Sequence, residues 1–301
     1  VKDGMYDEHG YRCNVCLICD HKNAPSAVIC SQCGAPMALI EDARQQNRKP
    51  AIITLLGEAN VGKTVYLGFL LDLLSKRAGG FEAIPKGAYS VNLQQTVIGC
   101  LNSRRFPPKT PLEVEHWKWA YYQVRHRLKR SDEWFDVLLP DMAGEALSQE
   151  VESPKTYAAI SGLLAKSAGA MVLIDAAVAA SGSPYPDYFA YKLISYVDQR
   201  FATHRKERVR NPIAIVLCKA DTCPECFDNP REFAETNLVR LWNLCDSRFE
   251  NVEFFAASVV GSLGYAHDED GNVVQVPLHA APRGVLEPFE WISQRMKAVQ
   301  L

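Results

Sequence analysis

The sequence predicts a three-layer α/β domain built on a mainly parallel sheet, preceded by a small module that a metal ion must hold together. Three observations carry this. From residue 51 onward, short apolar runs alternate with longer amphipathic stretches, the pattern of strands and helices stacked in turn around one sheet. The first of these runs leads directly into a glycine-bounded loop and then a helix. Ahead of it, residues 11–36 are crowded with cysteines and short of large apolar side chains, so they cannot build a core unaided.

Length and composition bound the answer further. At 301 residues there is room for one large and one small domain, and 48% apolar content supplies a core. A formal charge of -2 gives no whole-chain field that would draw the protein to nucleic acid or an anionic membrane, so no specific nucleic acid partner is predicted. No apolar run approaches the roughly 18 residues of a transmembrane span, and the charged start does not read as a signal peptide, which predicts a cytoplasmic protein. Of ten cysteines, five lie between Cys13 and Cys33 in paired spacing, an arrangement of metal ligands rather than of disulfides.

Taken in order, residues 1–36 form the metal module and 37–49 a polar linker or short helix ending before Pro50. Residues 50–301 form the large domain. Strands are predicted at 51–57, 135–140, 170–176, 213–219 and 252–258, with helices in the intervals. Residues 117–128 read as a further strand, because KRSDE supplies a turn and the next strand can return beside it antiparallel. Residues 260–284, with several Gly and Pro and the turn DEDGN, read as an irregular loop or hairpin before a final helix in EPFEWISQRMKAV.

Within the module, Cys16, Cys19, Cys30 and Cys33 make C-x2-C-x10-C-x2-C, followed by Gly34. Two short turns each present a pair of thiolates, and closing both pairs on one zinc ion gives a tetrahedral S4 site with no open position, hence a structural metal. A register that uses Cys13 with Cys16 is the alternative. The segment resembles the short zinc ribbons of bacterial and archaeal proteins, including their ending CGAP. It is not notably basic and has one aromatic, Tyr11, which favours protein docking over nucleic acid readout. Cys223 and Cys226 form a separate C-x-x-C with no second pair nearby, so they read as free thiols rather than a metal or redox centre. His21, His116, His126 and His267 have no partnered spacing.

The strand 51–57 runs into Gly57, Glu58, Ala59, Asn60, Val61, Gly62, Lys63, Thr64 and Val65, which fits G-x-x-x-x-G-K-[ST]. Such a loop aims successive backbone N–H groups at phosphate oxygens while the following helix presents its positive end to the same charge. Lys63 is placed to bridge the terminal phosphates and Thr64 to offer its hydroxyl to magnesium. The bland alternative, an accidental glycine turn, does not explain the strand–loop–helix context. The motif does not separate GTP from ATP.

At the end of the run FDVLLPDMAGE, Asp141 and Gly144 make D-x-x-G, in which the carboxylate holds magnesium through water and the glycine N–H approaches the terminal phosphate. A switch loop carrying a threonine should lie between the first helix and the hairpin. Thr110 in RRFPPKTP is the candidate, because flanking prolines hold an extended loop, and Thr96 competes from surroundings that look helical.

At the ends of the last two strands stand Cys218, Lys219 and Asp221 in CKAD, and Ser258 and Val259 in AASVVG. Together GEANVGKT, DMAGE, CKAD and AASVVG resemble, in order, the nucleotide-contact motifs of the Ras-like (TRAFAC-class) GTPases. The resemblance covers about residues 50–301 and implies a P-loop Ras-like G domain with one antiparallel strand, binding GTP or GDP with magnesium. It implies that Asp221 accepts from the two guanine N–H groups and Lys219 lays its stem against the base. Cys218 stands where the family has Asn or Thr, and Glu145 stands where Ras-like members carry a water-positioning Gln. Glu145 acts on the attacking water or simply opens the next helix, where acidic residues are favoured. Asn60 matches a subset of GTPases that bind potassium beside the phosphates, and it also reads as an ordinary loop residue. With GVLEPFEWI near the end, the arrangement looks like the bacterial double-GTPases of conflict and signalling operons, which implies a protein partner: an effector, an activator or a second GTPase. The rival readings are a nucleotide-binding scaffold without turnover and a P-loop ATPase.

Overall fold

A computed structural model describes residues 13–45, 49–127, 133–201, 208–267 and 271–299. It opens with a two-residue ribbon of β1 (Asn14–Val15) and β2 (Lys22–Asn23), then α1 (Ala38–Gln45). The large domain runs β3 (Ala51–Gly57), α2 (Lys63–Ser75), β4 (Phe81–Pro85), α3 (Tyr89–Asn102), β5 (Lys118–His126) and β6 (Phe135–Asp141). It continues α4 (Gly144–Glu152), α5 (Ala158–Lys166), β7 (Ser167–Asp175), α6 (Ala176–Ala180), α7 (Tyr185–Phe201) and β8 (Ile213–Cys218). Last come α8 (Glu225–Asp228), α9 (Pro230–Asn237), α10 (Val239–Arg248), β9 (Val252–Ala256), β10 (Ser258–His267), β11 (Val273–Arg283) and α11 (Leu286–Val299).

The central sheet has the order β4-β5-β6-β3-β7-β8-β9. Only β5 runs against the others, pairing antiparallel with β4 on one side and β6 on the other. The four central strands are buried on both faces, which is why they read in sequence as near-continuous apolar runs. Their side chains still divide by the period of two: Ile52 and Leu56 of β3 join one buried cluster, Ile53 and Leu55 the other. Helices α2, α3 and α11 pack on one face; α4, α5, α7 and α10 pack on the other, together with the cysteine module. This is the three-layer α/β architecture with one antiparallel strand that the sequence predicts.

Several elements add to the expectation. The interval 81–102 carries an edge strand and a helix that place Thr96 on α3, where its hydroxyl donates to the carbonyl of Asn92 at 2.7 Å. The interval 260–284 is a long antiparallel hairpin, β10 with β11. The interval 37–49 carries α1, with Leu39, Ile40 and Ala43 buried. Tyr11, most of KRSDE and part of DEDGN lie outside the described residues. Among the described residues, no helix is long and apolar enough to cross a membrane.

Candidate functional site

The parallel strands deliver their C-terminal ends to one edge of the sheet, the place where open α/β sheets bind ligands. β3 ends at Gly57, β6 at Asp141, β7 at Asp175 and β8 at Cys218, and the four ends border one cavity of about 800 Å³. The loop between β3 and α2 turns through positive φ at Asn60 (65°) and Gly62 (100°). Gly57 itself has φ 150°, and a Cβ there would lie 2.7 Å from the carbonyl oxygen of Leu173 on β7, so the loop starts where no side chain fits.

Lys63 opens α2 and folds back over this loop, its ammonium donating to the carbonyl oxygens of Gly57 at 2.8 Å and Glu58 at 2.7 Å. Burial lowers its pKa to about 8, with the nearby Asp141 carboxylate opposing the shift. Both contacts keep the Lys63 ammonium at the loop, directly over its backbone.

On the next residue, the Thr64 hydroxyl lies 3.2 Å from both carboxylate oxygens of Asp141. The Thr110 hydroxyl lies 3.1 Å from that of Thr64 and donates to Asp141 Oδ2 at 3.0 Å. Three oxygen-bearing side chains from three elements thus meet at one point. Asp141 is only 1% exposed, and burial pushes its carboxyl above the usual carboxylate range despite the hydrogen bond from Thr110 and the charge of Lys63. A hard divalent cation fits this donor set and would remove the cost of the buried charge. Gly144 presses its Cα against the same place: a Cβ there would lie 2.5 Å from Ala59 N and 2.6 Å from Lys63 Nζ. Glu145 sits in the first turn of α4, half exposed, in an ion pair with Lys109 at 3.3 Å.

At the far end of the cavity the Ser258 hydroxyl donates to Asp221 Oδ1 at 2.6 Å, leaving Oδ2 free of that bond. The left-handed backbone of Lys219 (φ 58°) starts the turn that carries Asp221 outward, and Lys219 Nζ pairs with Asp175 Oδ2 at 2.6 Å. The Cys218 thiol is buried, which raises its pKa above the usual thiol range, so it lies there as a neutral SH. Asn60, Val61, Val65 and Val259 complete the wall. Sequence reasoning missed Asp175, although the buried run AMVLID ends on it. It also missed Leu263 and Gln275, which reach the cavity from the hairpin and carry no motif.

On the other side of the sheet the Sγ atoms of Cys16, Cys19, Cys30 and Cys33 all lie within 4.8 Å of one another. Cys16–Cys33 and Cys19–Cys30 are each 3.6 Å apart, close to the roughly 3.8 Å edge of a tetrahedron with 2.3 Å metal–sulfur bonds. The hydrogen bond from Cys33 lowers the Cys16 thiol below the usual thiol range and raises that of Cys33 in return, so one thiol of the pair gives up its proton first. Around them Ile18 N donates to Cys16 Sγ at 3.4 Å, and Asn23, fixed by Ser31, donates to Cys30 Sγ at 3.4 Å. Cys13 is buried outside this group of four, and Cys223 and Cys226, shortly after Asp221 in the chain, are buried as well.

No curated protein matches the chain. Among solved structures it is similar to nucleolar GTP-binding protein 1 of Plasmodium falciparum, at 14% identity over 83% of this chain and 88% of that one, with a TM-score of 0.42. It is similar to the S. cerevisiae Ski7 GTPase-like domain bound to GTP, at 18% identity, 82% and 50% coverage and a TM-score of 0.42, so it spans half of that chain. It is also similar to the small GTPase Arl6 from Trypanosoma brucei, at 13% identity, 83% and 98% coverage and a TM-score of 0.35. Likenesses this distant carry no weight of their own. A family model described as Double-GTPase 2 matches residues 51–267, from the first residue of β3 to the end of β10. That match takes in the loop, the Thr110 segment, the Asp141 turn and the base end, well over half of the chain, which therefore belongs to the Double-GTPase 2 family.

Proposed function

We propose that the protein binds GTP with magnesium and hydrolyses it to GDP and phosphate, acting as a switch. In this reading residues 50–301 form the G domain, and residues 1–36 form a zinc-holding module joined to it by 37–49. One observation carries the reading: Thr64, Thr110 and Asp141 converge beside the loop 57–64 at one end of a cavity whose other end presents Asp221.

The loop N–H groups and the N-terminus of α2 take the β- and γ-phosphates, and Lys63 exchanges its two carbonyl contacts for phosphate oxygens. Thr64 and Asp141 would hold magnesium, and Thr110, which touches both, would close over it. Bound there, magnesium neutralises charge on the phosphate oxygens. The Gly144 N–H contacts the terminal phosphate at the position where a side chain has no room. Water attacks in line, and an additional positive group comes from a protein partner, so turnover in isolation is slow. At the other end Asp221, oriented by Ser258, accepts from the guanine N–H pair, an edge on which adenine has no such donors. Cys16, Cys19, Cys30 and Cys33 hold zinc as a closed structural site. Asn60 serves the turn of the loop through its positive φ of 65°, and turnover faster in potassium than in sodium buffer would give it a potassium-binding role as well.

Phosphate release by the purified full chain tests the proposal. Turnover abolished by Lys63→Ala, with GTP preferred over ATP and that preference lost in Asp221→Ala, supports it. Tight GTP binding with no release even beside a partner GTPase supports the scaffold reading, which the Glu145–Lys109 ion pair favours because it engages the side chain standing where Ras-like members carry a water-positioning Gln. Displacement of GTP by ATP overturns the base assignment.

A further inference from the structure

We infer that the cysteine module is a fixed brace for the loop carrying Thr110, so that metal held by Cys16, Cys19, Cys30 and Cys33 strengthens binding of the nucleoside triphosphate. The inference rests on the nucleotide reading above and adds a role for residues that lie outside the family match.

The module and the helix α1 that follows it meet the large domain at four places. Ile18, between the first two cysteines, is fully buried, and α5 meets it so closely that a Cβ at Gly162 would lie 2.7 Å from its carbonyl oxygen. Lys166, at the end of α5, donates to Leu17 O at 2.9 Å and pairs with Asp20 Oδ1 at 2.6 Å. Gly34, directly after the last cysteine, faces Val114, and a Cβ there would lie 3.1 Å from Val114 Cβ. Beyond it, Asp42 of α1 accepts a hydrogen bond from Tyr89 OH at 2.6 Å.

Two of these contacts bracket the switch interval. Tyr89 begins α3, whose end feeds the loop, and Val114 follows Thr110 by four residues. Three residues beyond Val114, Trp117 donates to Pro111 O at 2.9 Å, and Trp117 is buried in the same cluster as Cys16, Cys33 and Met37. Met142 and Ala143, between Asp141 and Gly144, belong to that cluster as well. Thr110 itself stands on Thr64 and Asp141, so whatever fixes Pro111 and Val114 bears directly on the site.

The grip depends on the metal because Ile18, Asp20 and Gly34 lie in or beside the ligand turns. β1 and β2 have two residues each, too few to hold those turns without four thiolates closed on one ion. A loop ordered in advance costs less to close on the triphosphate, and the diphosphate, which has no terminal phosphate for it to cover, gains little. By linkage, the triphosphate must tighten the metal by the same factor.

The test compares zinc-loaded and chelated full chain by hydrogen exchange over residues 103–116 and by the affinity of fluorescent non-hydrolysable GTP and GDP analogues. Chelation should speed exchange over 103–116 and weaken the triphosphate about tenfold, a typical coupling, with the diphosphate changed less than about threefold. A second protein guards against general unfolding: Asp42→Ala with Val114→Ala, its zinc retained, should shift exchange and triphosphate affinity in the same direction. Unchanged exchange over 103–116 in both comparisons overturns the brace. So does equal weakening of both nucleotides by the zinc-retaining variant. If zinc-loaded protein binds neither nucleotide, the nucleotide reading fails, and exchange alone still decides whether the module braces the loop.

Discussion

Thr64 and Asp141 are 77 positions apart in the chain, yet the threonine hydroxyl lies 3.2 Å from each oxygen of the carboxylate. Neither residue is placed there by the other. β3 and β6 are parallel neighbours, in register at Ala51–Val137 and Ile52–Leu138, so the loop after one strand and the last residue of the other arrive at the same edge. If this pair holds magnesium, Asp141→Asn removes its charge and most of the gain in GTP affinity that magnesium gives. Loss of a hydrogen-bonded charge predicts a fall of about 10- to 100-fold. Calorimetric titration with and without magnesium reads it, and an undiminished magnesium effect in the variant excludes the pair as the ion's seat.

Lys63 makes a prediction about pH. Its pKa is about 8 in the fold against 10.5 for the unconstrained side chain, with burial the main cause. The nucleotide-free fold therefore binds fewer protons at this site than the unfolded chain does, so stability rises with pH between about 8 and 10.5. Lys63→Met lacks the titration. The stability of the parent relative to that variant should increase by up to about 3 kcal/mol across the window. Denaturant titrations at pH 7.5 and 9.5 measure part of the change, and a flat or opposite difference contradicts the buried-ammonium account.

Glu145 offers a gain rather than a loss. Its carboxylate accepts hydrogen bonds and donates none, and it is drawn to Lys109 at the rim. Glu145→Gln gives a side chain that both accepts from water and donates to phosphate. Single-turnover hydrolysis should accelerate several-fold, with little change in stability because the lost ion pair is exposed and worth less than about 1 kcal/mol. A slower variant would show that the carboxylate itself serves the reaction.

The cysteine module predicts a stoichiometry. Cys30→Ser removes one of the group of four, of which Cys13 is not a member. Metal analysis of the purified proteins should find one zinc ion per chain in the parent and in Cys13→Ser. In Cys30→Ser it should fall well below one.

Much of this fold is legible in the residues, and the reasons differ by element. Strands buried on both faces, such as 213–218, announce themselves because every position must be apolar. β5 is legible through the turn KRSDE that follows it, while its division into Trp119 and Tyr121 on one face and Ala120 and Tyr122 on the other emerges only in the fold. β4 is not, since an edge strand of five residues ending in Pro85 needs neither pattern. The hairpin β10–β11 hides for a related reason. Tyr265, Val273 and Leu278 project from it exposed, so no buried face imposes a period. In the site, residues bound to backbone chemistry are readable from spacing. Thr110 is only one of two candidates until the fold puts Thr96 on a helix and Thr110 on Asp141. The contacts of the module with Val114, Tyr89 and α5 have no sequence signature, because they join segments far apart in the chain.

The most direct test is a crystal structure of the zinc-loaded chain with magnesium and a non-hydrolysable GTP analogue. It should show the triphosphate wrapped by residues 57–64, with the ion shared by Thr64, Thr110 and the water shell of Asp141. The guanine should lie on the Asp221 carboxylate. A nucleotide found elsewhere, or a base whose N–H edge faces away from Asp221, contradicts the account.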